Sequence, residues 1–342
     1  MPAGDEDTSG LDRPSAGQAG AIRRIAAVIV NYCTGELVLE ALASLESEIP
    51  SVGSLRAVVV DNASPDGSEA FLREALADPR WSQWVALLAL PENRGFGAGN
   101  NAAFRRLREE GPAEAAPDAF LLMNPDTALA PGALAALVGL LEERPGAGAV
   151  GPQITWPDGR PQHSAFRFPS LWSEVDAGCR IGLLSRLLAG RAVPMPIASA
   201  PRRCDWVSGS CVLLRRAMLE QIGDFDEDFF LYFEETDLCR RAQAAGWEVW
   251  QEPRARVVHL VGVSTGMVEG DQSSRPRPRY WFESRRRYFE KHHGAAYSWV
   301  ADLLFLLGFT SWRLRRRLQG KPDRDPRGFL GDFVRFRLGA RR

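Results

Sequence analysis

Apolar runs alternate with segments of helical spacing along the first half of this chain. Four continuous runs rich in valine, leucine and isoleucine lie at 25–30, 56–60, 85–90 and 120–123. The segments between and after them repeat apolar residues at helical spacing, at 36–48, 68–77, 96–110 and 131–143. Continuous apolar strands that alternate with helices are typical of a parallel sheet covered on both faces. The sequence therefore predicts an α/β fold with a mostly parallel central sheet and helices on both faces.

Composition narrows the class of protein. The 342 residues are 45% apolar and 25% charged, which excludes wholesale disorder, a collagen-like fibre and a multi-span membrane protein. The five cysteines include no CxxC pair, so we expect a reducing compartment rather than a disulfide framework or a zinc site. Residues 1–20 are rich in Gly, Ser, Asp and Pro and are expected to form a disordered arm without a secretory signal. We expect a cytoplasmic protein, with a peripheral position on the cytoplasmic face of the membrane left open.

Polar residues follow each of the first four predicted strands. They are Asn31, Asp61, Asn62, Asn93, Asn124 and Asp126. In open α/β sheets, ligands bind beyond the carboxyl ends of the strands. Asn and Asp also punctuate turns and cap helices, which is the alternative explanation for any one of them. Four strands that deliver such groups to one edge favour a binding site.

Six segments, taken in order, resemble glycosyltransferase family 2 and, within it, bacterial rhamnosyltransferases. They read "VIVNYCTGE" (28–36), "VVVDNASPDGS" (58–68), "ENRGFGAGNN" (92–101), "LLMNPDT" (121–127), "WVSGSCVLLRR" (206–216) and "GDFDEDFFLYFEETDLCRRAQAAGW" (223–247). The resemblance implies the GT-A fold of nucleotide-diphospho-sugar transferases over residues 21–270. It further implies a nucleotide-binding half at 21–150 and an acceptor half at 151–270.

The first three motifs concern the donor. Asp61 ends a valine-rich strand, where its carboxylate can accept a hydrogen bond from a pyrimidine imide. The resemblance assigns it that role and implies that Asn31 and Asn62 frame the base and the ribose. It also places Asn93 and Asn100 near the nucleotide-sugar. Capping of the following turn is the alternative role for Asp61.

The glycines of "GFGAGN" invite comparison with a dinucleotide-binding loop. That fingerprint belongs in the first βα turn, with an acidic residue about 20 positions on at a strand end. Here the glycines follow the third strand, so the context excludes it. We expect Gly95 and its neighbours to let the backbone pass close to a nucleotide-sugar.

The "NPDT" segment stands where the family carries its DxD element, which holds a divalent ion on the diphosphate. Asn124 replaces the first Asp, and Asp126 keeps the carboxylate. Mg²⁺ takes one or two protein carboxylates together with phosphate oxygens, so one Asp is sufficient. The resemblance adds His259 as a second ligand, with a structural histidine as the alternative. We expect Mg²⁺ or Mn²⁺ as the cofactor.

Segment 226–237 combines six carboxylates with four aromatic residues. A carboxylate in apolar surroundings can take a raised pKa and act as a base. The resemblance assigns the catalytic base to Glu235, the second residue of the pair, although the family usually has Asp there. Glu234 and Asp237 are expected to orient the acceptor or to bind the following helix, predicted at 238–245.

Two further residues precede that segment. We expect Gly209 to allow close approach of the backbone to the donor sugar and Trp206 to form an apolar platform for a sugar ring. A tight turn and a core tryptophan are the alternatives. Residues 152–205 match no motif, and their Pro, Trp and Phe content suggests a variable acceptor loop.

Charge divides the chain into two parts. Residues 1–270 carry 24 Lys and Arg against 36 Asp and Glu, whereas residues 271–342 carry 18 against 7. The second part is predicted to be a basic helical tail. No nucleic-acid module is recognisable, so residues 275–318 are expected to contact an anionic membrane surface through an amphipathic helix. A solvated basic face, or a helix that packs on the catalytic domain, is the alternative.

Together these features predict an inverting glycosyltransferase with a nucleotide-sugar donor and a saccharide or lipid-linked acceptor, in cell-surface polysaccharide or glycolipid synthesis. The resemblance favours rhamnose from dTDP-rhamnose. A non-catalytic nucleotide-sugar or membrane-binding module on the same fold is the alternative, because Asn124 and Glu235 depart from the family pattern. A nucleotidyltransferase is disfavoured, since no Gly-rich triphosphate loop follows the first strand.

Overall fold

The structure is a computed structural model that describes residues 21–110, 112, 115–260 and 275–339. The predicted arm at 1–20 lies outside the described residues. So do 261–270 of the predicted acceptor half and both ends of the predicted tail, 271–274 and 340–342.

Eleven strands are present in the described residues. They are β1 (Arg24–Asn31), β2 (Ser54–Asp61), β3 (Val85–Ala89), β4 (Ala119–Met123), β5 (Thr127–Leu129), β6 (Ala147–Thr155), β7 (Ala165–Phe166), β8 (Arg202–Cys204), β9 (Trp206–Val207), β10 (Cys211–Arg215) and β11 (Glu248–His259). The central sheet has the order β3-β2-β1-β4-β10-β6-β11-β5, with β8 also paired to β11. Within it β10, β5 and β8 run antiparallel to their neighbours, and the other strands share one direction. The prediction of a mostly parallel sheet is confirmed.

Twelve helices accompany the sheet in the described residues. They are α1 (Gly35–Glu46), α2 (Ser68–Ala75), α3 (Pro79–Ser82), α4 (Phe96–Glu109), α5 (Ala133–Glu143), α6 (Leu171–Cys179), α7 (Gly182–Leu187), α8 (Arg216–Ile222), α9 (Glu234–Ala244), α10 (Arg279–His293), α11 (Ala295–Leu318) and α12 (Phe329–Arg337). Among the described residues, none of these helices combines the length and the apolar character needed to cross a lipid bilayer.

The sheet is covered on both faces, as predicted. Successive residues of β1 point to opposite sides, so Ile29 packs with Leu42 of α1 and Leu137 of α5. Val28, the residue before it, packs in a second core with Phe104 of α4. Because both faces are buried, the strand is apolar throughout rather than alternating.

The two predicted halves share this single sheet. Strand β10, from the second half, lies between β4 and β6 and pairs with both. The pairing of β10 with β4 brings Cys211 opposite Met123, so the loop before β10 meets the turn after β4. This arrangement brings the motif at 206–216 to the edge where the first four strands end.

The basic tail is helical, as predicted, and it packs on the preceding part of the chain. Arg285 of α10 is buried and forms ion pairs with Glu174 of α6 at 2.7 Å and with Asp302 of α11. Helices α6 and α11 approach so closely that a Cβ on Gly308 would meet the backbone nitrogen of Cys179 at 2.8 Å. The alternative considered for this segment, packing on the catalytic domain, is therefore observed.

Candidate active site

Asn31 and Asp61 lie side by side at the carboxyl ends of β1 and β2. Asp61 is buried, and its carboxylate accepts hydrogen bonds from Asn31 Nδ2 at 2.8 Å and from the Ser64 amide at 3.0 Å. The Asn31 side-chain oxygen accepts in turn from the amide and hydroxyl of Thr34. The two side chains are thus fixed at the sheet edge, where a nucleobase would meet the Asp61 carboxylate.

Tyr32 is a further candidate binding residue, which the sequence motifs did not identify. It follows Asn31 directly at the end of β1 and is 42% exposed, although its neighbour on the strand is fully buried. A partly exposed aromatic ring at the end of this strand is suited to stacking on a planar base. An open pocket continues from this point, lined by residues 33–37, 66–68 and Phe71. The signal in the sequence was an aromatic residue among the polar groups that end a strand.

A second set of amides connects the ends of β2 and β3 with α4. Asn62 Nδ2 donates to Asn93 Oδ1 at 3.0 Å and to the Gly95 carbonyl at 3.1 Å. Asn100 Nδ2 donates to the Phe96 carbonyl at 2.9 Å. The side-chain oxygens of Asn62 and Asn100 are buried and accept no hydrogen bond from the described residues. Buried acceptors without a donor are uncommon. This edge of the sheet therefore has two amide oxygens whose hydrogen bonds the described residues do not supply.

The structure gives the glycines of this motif a packing use that differs from the expected one. A Cβ on Gly95 would lie 2.0 Å from the Phe230 carbonyl oxygen, and one on Gly99 would lie 2.9 Å from Val30 Cγ1. Gly97 faces Phe225 in the same way. Their small size lets α4 pack tightly on β1 and on the loop before α9.

Asp126 and His259 meet at the end of the sheet next to this cluster. Pairing of β5 with β11 sets His259 opposite Thr127, and His259 Nε2 lies 3.3 Å from Asp126 Oδ1. The Asp126 side chain is buried and that of His259 is 16% exposed. Two ligands at right angles, each about 2.1 Å from an octahedral cation, lie about 3 Å apart. The spacing therefore fits two neighbouring ligands of Mg²⁺ or Mn²⁺.

The described residues contain no group of three His, Cys, Asp or Glu side chains suited to holding a metal ion. A cation on Asp126 and His259 would thus take its other ligands from phosphate oxygens and water, as Mg²⁺ commonly does. Asn124, at the first position of the motif, forms the turn through its backbone: its carbonyl accepts from the Thr127 amide at 3.2 Å, and its amide donates to the Ser210 carbonyl at 2.8 Å.

Glu234 and Glu235 begin α9, four residues earlier than the predicted start of this helix. The residue before them, Phe233, has φ of 69°, a left-handed conformation that turns the chain into the helix. Both carboxylates therefore lie in the first turn, at the positive end of the helix dipole. Sequence periodicity did not reveal this start, because left-handed backbone at an aromatic residue has no propensity signal.

Both glutamates have a raised pKa. For Glu234 the causes are burial and the neighbouring charge of Glu235, and Glu234 Oε2 accepts no hydrogen bond from the described residues. Burial also raises the pKa of Glu235, while hydrogen bonds from its own amide and from the Gly209 amide partly offset this effect. A more basic carboxylate that still has a hydrogen bond to its charged form is suited to taking a proton.

Gly209 lies between the glutamates and the turn that carries Asp126. A Cβ on Gly209 would lie 3.6 Å from the carboxyl carbon of Glu235. The next residue, Ser210, accepts through its carbonyl from the Asn124 amide, two positions before Asp126. One short loop therefore contacts both the glutamate pair and the turn that carries Asp126.

Two further predicted residues make contacts within the protein. Asp237 is fully buried and its carboxylate contacts Arg241 at 2.8 Å, Lys291 at 2.7 Å and His292 at 2.8 Å. Of the two roles predicted for it, the structure supports binding to helices. Trp206 stacks on Phe166 with ring centroids 4.1 Å apart, and its indole nitrogen donates to the Arg167 carbonyl. Its role as a sugar platform stays a prediction.

Comparisons with known proteins identify the family of this chain. Residues 23–289 match the family model described as glycosyltransferase like family 2. An N-acetylglucosaminyl-diphospho-decaprenol L-rhamnosyltransferase of Mycobacterium tuberculosis is 31% identical, over 80% of this chain and 83% of that protein. The rhamnosyltransferase WbbL of Escherichia coli K12 is 26% identical over 48% of this chain and 60% of its own length.

A solved structure with a similar fold is the mannosyltransferase PcManGT from Pyrobaculum calidifontis, in complex with GDP-Man and Mn²⁺. The TM-score is 0.54 at 18% identity, covering 93% of this chain and 83% of that one. With the family model matched over most of the chain, the conclusion is direct. The chain belongs to glycosyltransferase family 2 and is a glycosyltransferase with the GT-A fold.

Proposed function

We propose that this enzyme transfers rhamnose from dTDP-rhamnose, with inversion, to a lipid-linked saccharide in the synthesis of a cell-surface glycan. The observation that carries the proposal is the position of Glu235, hydrogen-bonded by Gly209 in the loop that also contacts the Asp126 turn. The choice of sugar and acceptor rests on the relatives, whose names specify rhamnosyl transfer and, in one case, a diphospho-decaprenol acceptor.

Glu235 would act as the general base. Its carboxylate takes the proton from an acceptor hydroxyl, the hydroxyl oxygen attacks the anomeric carbon, and the bond from that carbon to the diphosphate breaks. One displacement of this kind inverts the configuration of the anomeric carbon. The raised pKa of Glu235 favours proton transfer near neutral pH, because base catalysis is most efficient when the pKa lies close to the working pH.

Asp126 and His259 would hold a divalent cation, which supplies charge neutralisation for the departing nucleoside diphosphate when it is bound. Their 3.3 Å separation is the observation that fits such an ion. At the other end of the donor, Asp61 would accept the imide hydrogen of thymine, Asn31 would orient Asp61, and Tyr32 would stack on the ring.

The membrane contact that the sequence suggested belongs, in this proposal, to the outer face of α11. Large apolar side chains recur there every four or seven residues, each more than half exposed: Trp299, Leu303, Leu307, Leu314 and Leu318. Side chains at this spacing share one face of a helix. The helix has one acidic residue, Asp302, which is buried, and its last turn contains Arg315 and the exposed Arg317, whereas Arg316 is buried. An apolar face that ends in cations suits an anionic lipid surface.

The test of the base is Glu235→Gln, assayed by dTDP release from dTDP-rhamnose with an N-acetylglucosaminyl diphospholipid as acceptor. We expect kcat to fall about 10²- to 10⁴-fold, since that is the usual contribution of a general base. The dissociation constant for dTDP-rhamnose, measured by calorimetry, should stay unchanged. Asp228→Asn removes an exposed carboxylate from the same segment and should keep full turnover. Retention of most of the turnover by Glu235→Gln would contradict the assignment.

The membrane contact is tested separately by co-sedimentation with vesicles of phosphatidylcholine and phosphatidylglycerol. The double variant Leu303→Ser, Leu307→Ser should lose binding, whereas Phe71→Ser, at an exposed apolar side chain of α2, should bind as the parent does. Equal binding by all three proteins would remove the α11 surface from the proposal. A change of oligomeric state in the double variant would instead indicate contact between copies of the chain.

A further inference from the structure

The segment just before Glu235 has an unusual backbone. Tyr232 and Phe233 are consecutive residues with φ of 72° and 69°. A left-handed conformation is unfavourable at a residue with a Cβ, and aromatic residues seldom adopt it. Two in succession persist only when the surrounding structure imposes them. The contacts that impose this turn therefore also determine where Glu235 points.

One side of the turn is held by α4. The Phe96 amide donates to the Phe230 carbonyl at 3.0 Å, and the missing side chain of Gly95 makes room for that carbonyl. This hydrogen bond fixes Phe230, at the beginning of segment 230–233. It does not reach the later residues of that segment.

The other side is held by α10, from the predicted tail. Ser284 is 2% exposed, and its hydroxyl donates to the Leu231 carbonyl at 3.0 Å. The Tyr280 ring lies 6.2 Å from the Tyr232 ring, and the Tyr288 ring lies 5.4 Å from the Phe233 ring. Each residue of the left-handed pair is thus covered by a tyrosine, and Ser284 bonds the carbonyl directly before them.

The same helix also binds Asp237, which lies two residues after Glu235. Lys291 and His292 of α10 bind the buried carboxylate of Asp237, in the first turn of α9. Along α10 the contacting residues follow the spacing of one helix face: Tyr280, Ser284, Tyr288, Lys291 and His292. We call this set the inner face of α10. It contacts the chain on both sides of Glu235.

We propose that the inner face of α10 positions the catalytic base, with Ser284 as the central positioning residue. Ser284 holds the Leu231 carbonyl, the turn at 232–233 stays left-handed, and the Glu235 carboxylate stays within reach of the Gly209 amide. The segment predicted as a separate basic tail is on this view part of the catalytic apparatus. The inference rests on the proposed role of Glu235 as the base.

The first variant is Ser284→Ala, which removes one hydroxyl from the full-length protein. We expect kcat for dTDP-rhamnose to fall about 10-fold, because small misplacements of a catalytic group are costly, while the dissociation constant of the donor is unchanged. Glu283→Gln alters the neighbouring, exposed position of the same helix and should behave as the parent protein does.

The acidic limb of the pH profile of kcat/KM distinguishes a misplaced base from a less stable protein. A base that moves away from the Gly209 amide loses a hydrogen bond to its charged form, so its pKa and the limb move to higher pH. The titratable groups that face Glu235 are Glu234 and Cys239 on its own helix and Tyr232 before it, and Ser284→Ala changes none of them. Partial unfolding would reduce the amplitude of the profile without moving the limb.

Two further variants complete the test. Ser284→Thr keeps the hydroxyl and should restore the limb and most of kcat. Lys291→Met removes a contact to Asp237, on the other side of Glu235, and should move the acidic limb in the same direction. This variant keeps the proposal testable if Ser284→Ala folds poorly. An unmoved limb with full kcat in both Ser284→Ala and Lys291→Met would overturn the positioning role. High turnover in Glu235→Gln would instead show that the proposed base is wrong.

Discussion

Gly95→Ala tests whether the space at this glycine is required for the geometry of the base. The residue has φ of 95° and ψ of 179°, a backbone region occupied almost only by glycine. Its missing Cβ would lie 2.0 Å from the Phe230 carbonyl oxygen, which belongs to the segment leading to Glu235. The substitution therefore adds backbone strain and a collision with backbone, and the two effects can be separated.

The strain alone costs roughly 1–3 kcal/mol of the free energy of unfolding. Relief of the collision requires a shift of about 1 Å, since non-bonded carbon and oxygen seldom approach closer than about 3 Å. Such a shift breaks the hydrogen bond from the Phe96 amide to Phe230, worth about 1 kcal/mol. We expect Gly95→Ala to lose about 2–4 kcal/mol of stability and, by displacing Glu235, up to about 100-fold in kcat.

Gly294→Ala is the matched control. Gly294 has φ of 84° and ψ of 164°, which is the same backbone region, but its Cβ would meet no atom within 4 Å. Urea denaturation should show a loss of about 1–3 kcal/mol for this variant, and its kcat in the dTDP-release assay should match that of the parent. The comparison cancels the strain and leaves the effect of the collision with Phe230.

Equal kcat in folded Gly95→Ala and Gly294→Ala would refute the reasoning. It would mean that the Phe230 segment adapts without moving Glu235. Equal stability of the two variants, with a lower kcat only for Gly95→Ala, would still support the geometric argument, because the shift would then cost activity without a measurable loss of hydrogen bonding.

Three further predictions concern the metal pair and the interior. Asp126→Ala and His259→Ala should each weaken binding of Mn²⁺ in the presence of dTDP at least about 10-fold by calorimetry, and unchanged binding would contradict the ligand assignment. Asp237→Asn should cost about 1–3 kcal/mol in urea denaturation, since it removes the charge of a fully buried carboxylate that binds Arg241 and Lys291, and a neutral result would contradict the importance of this network. Burial, with the charges of neighbouring cations, lowers the pKa of His293 to about 4. Between about pH 4 and 6.5 the unfolded state therefore binds one more proton than the folded state, and the free energy of unfolding falls as the pH falls through that window. His293→Phe should flatten this dependence by about 1 kcal/mol after solvent screening, and an unchanged slope would assign it to other groups.

The sheet and its binding edge could be predicted because their signals are local. A strand buried on both faces must be apolar along its length, so Val58, Val59 and Val60 identify β2 without any tertiary information. The carboxyl ends of parallel strands meet at one edge, which is why Asn31 and Asp61 were expected together and lie in register. The approach of Asp126 to His259 was expected from family resemblance, because no local pattern connects residues so distant in sequence.

The setting of the base could not be predicted because it depends on contacts between distant segments. Tyr232 and Phe233 have no local preference for left-handed backbone, and α10 and α4 impose it from positions far along the chain. For the same reason the sequence did not reveal that the missing side chain of Gly95 makes room for the Phe230 carbonyl oxygen, while the expected approach of a nucleotide-sugar there stays a prediction.

The ion pairs of α10 explain part of the charge difference between residues 1–270 and residues 271–342. Arg287 and Lys291 of the basic segment bind Asp226, Arg285 binds Glu174, and Lys291 also binds Asp237. Much of the positive charge of α10 thus neutralises acids of the preceding domain, several of them close to the base. A polyanion is not needed to explain these cations. The outer face of α11 is exposed, so removing α10 should impair catalysis, whereas substitutions confined to the outer face of α11 should change only where the enzyme binds.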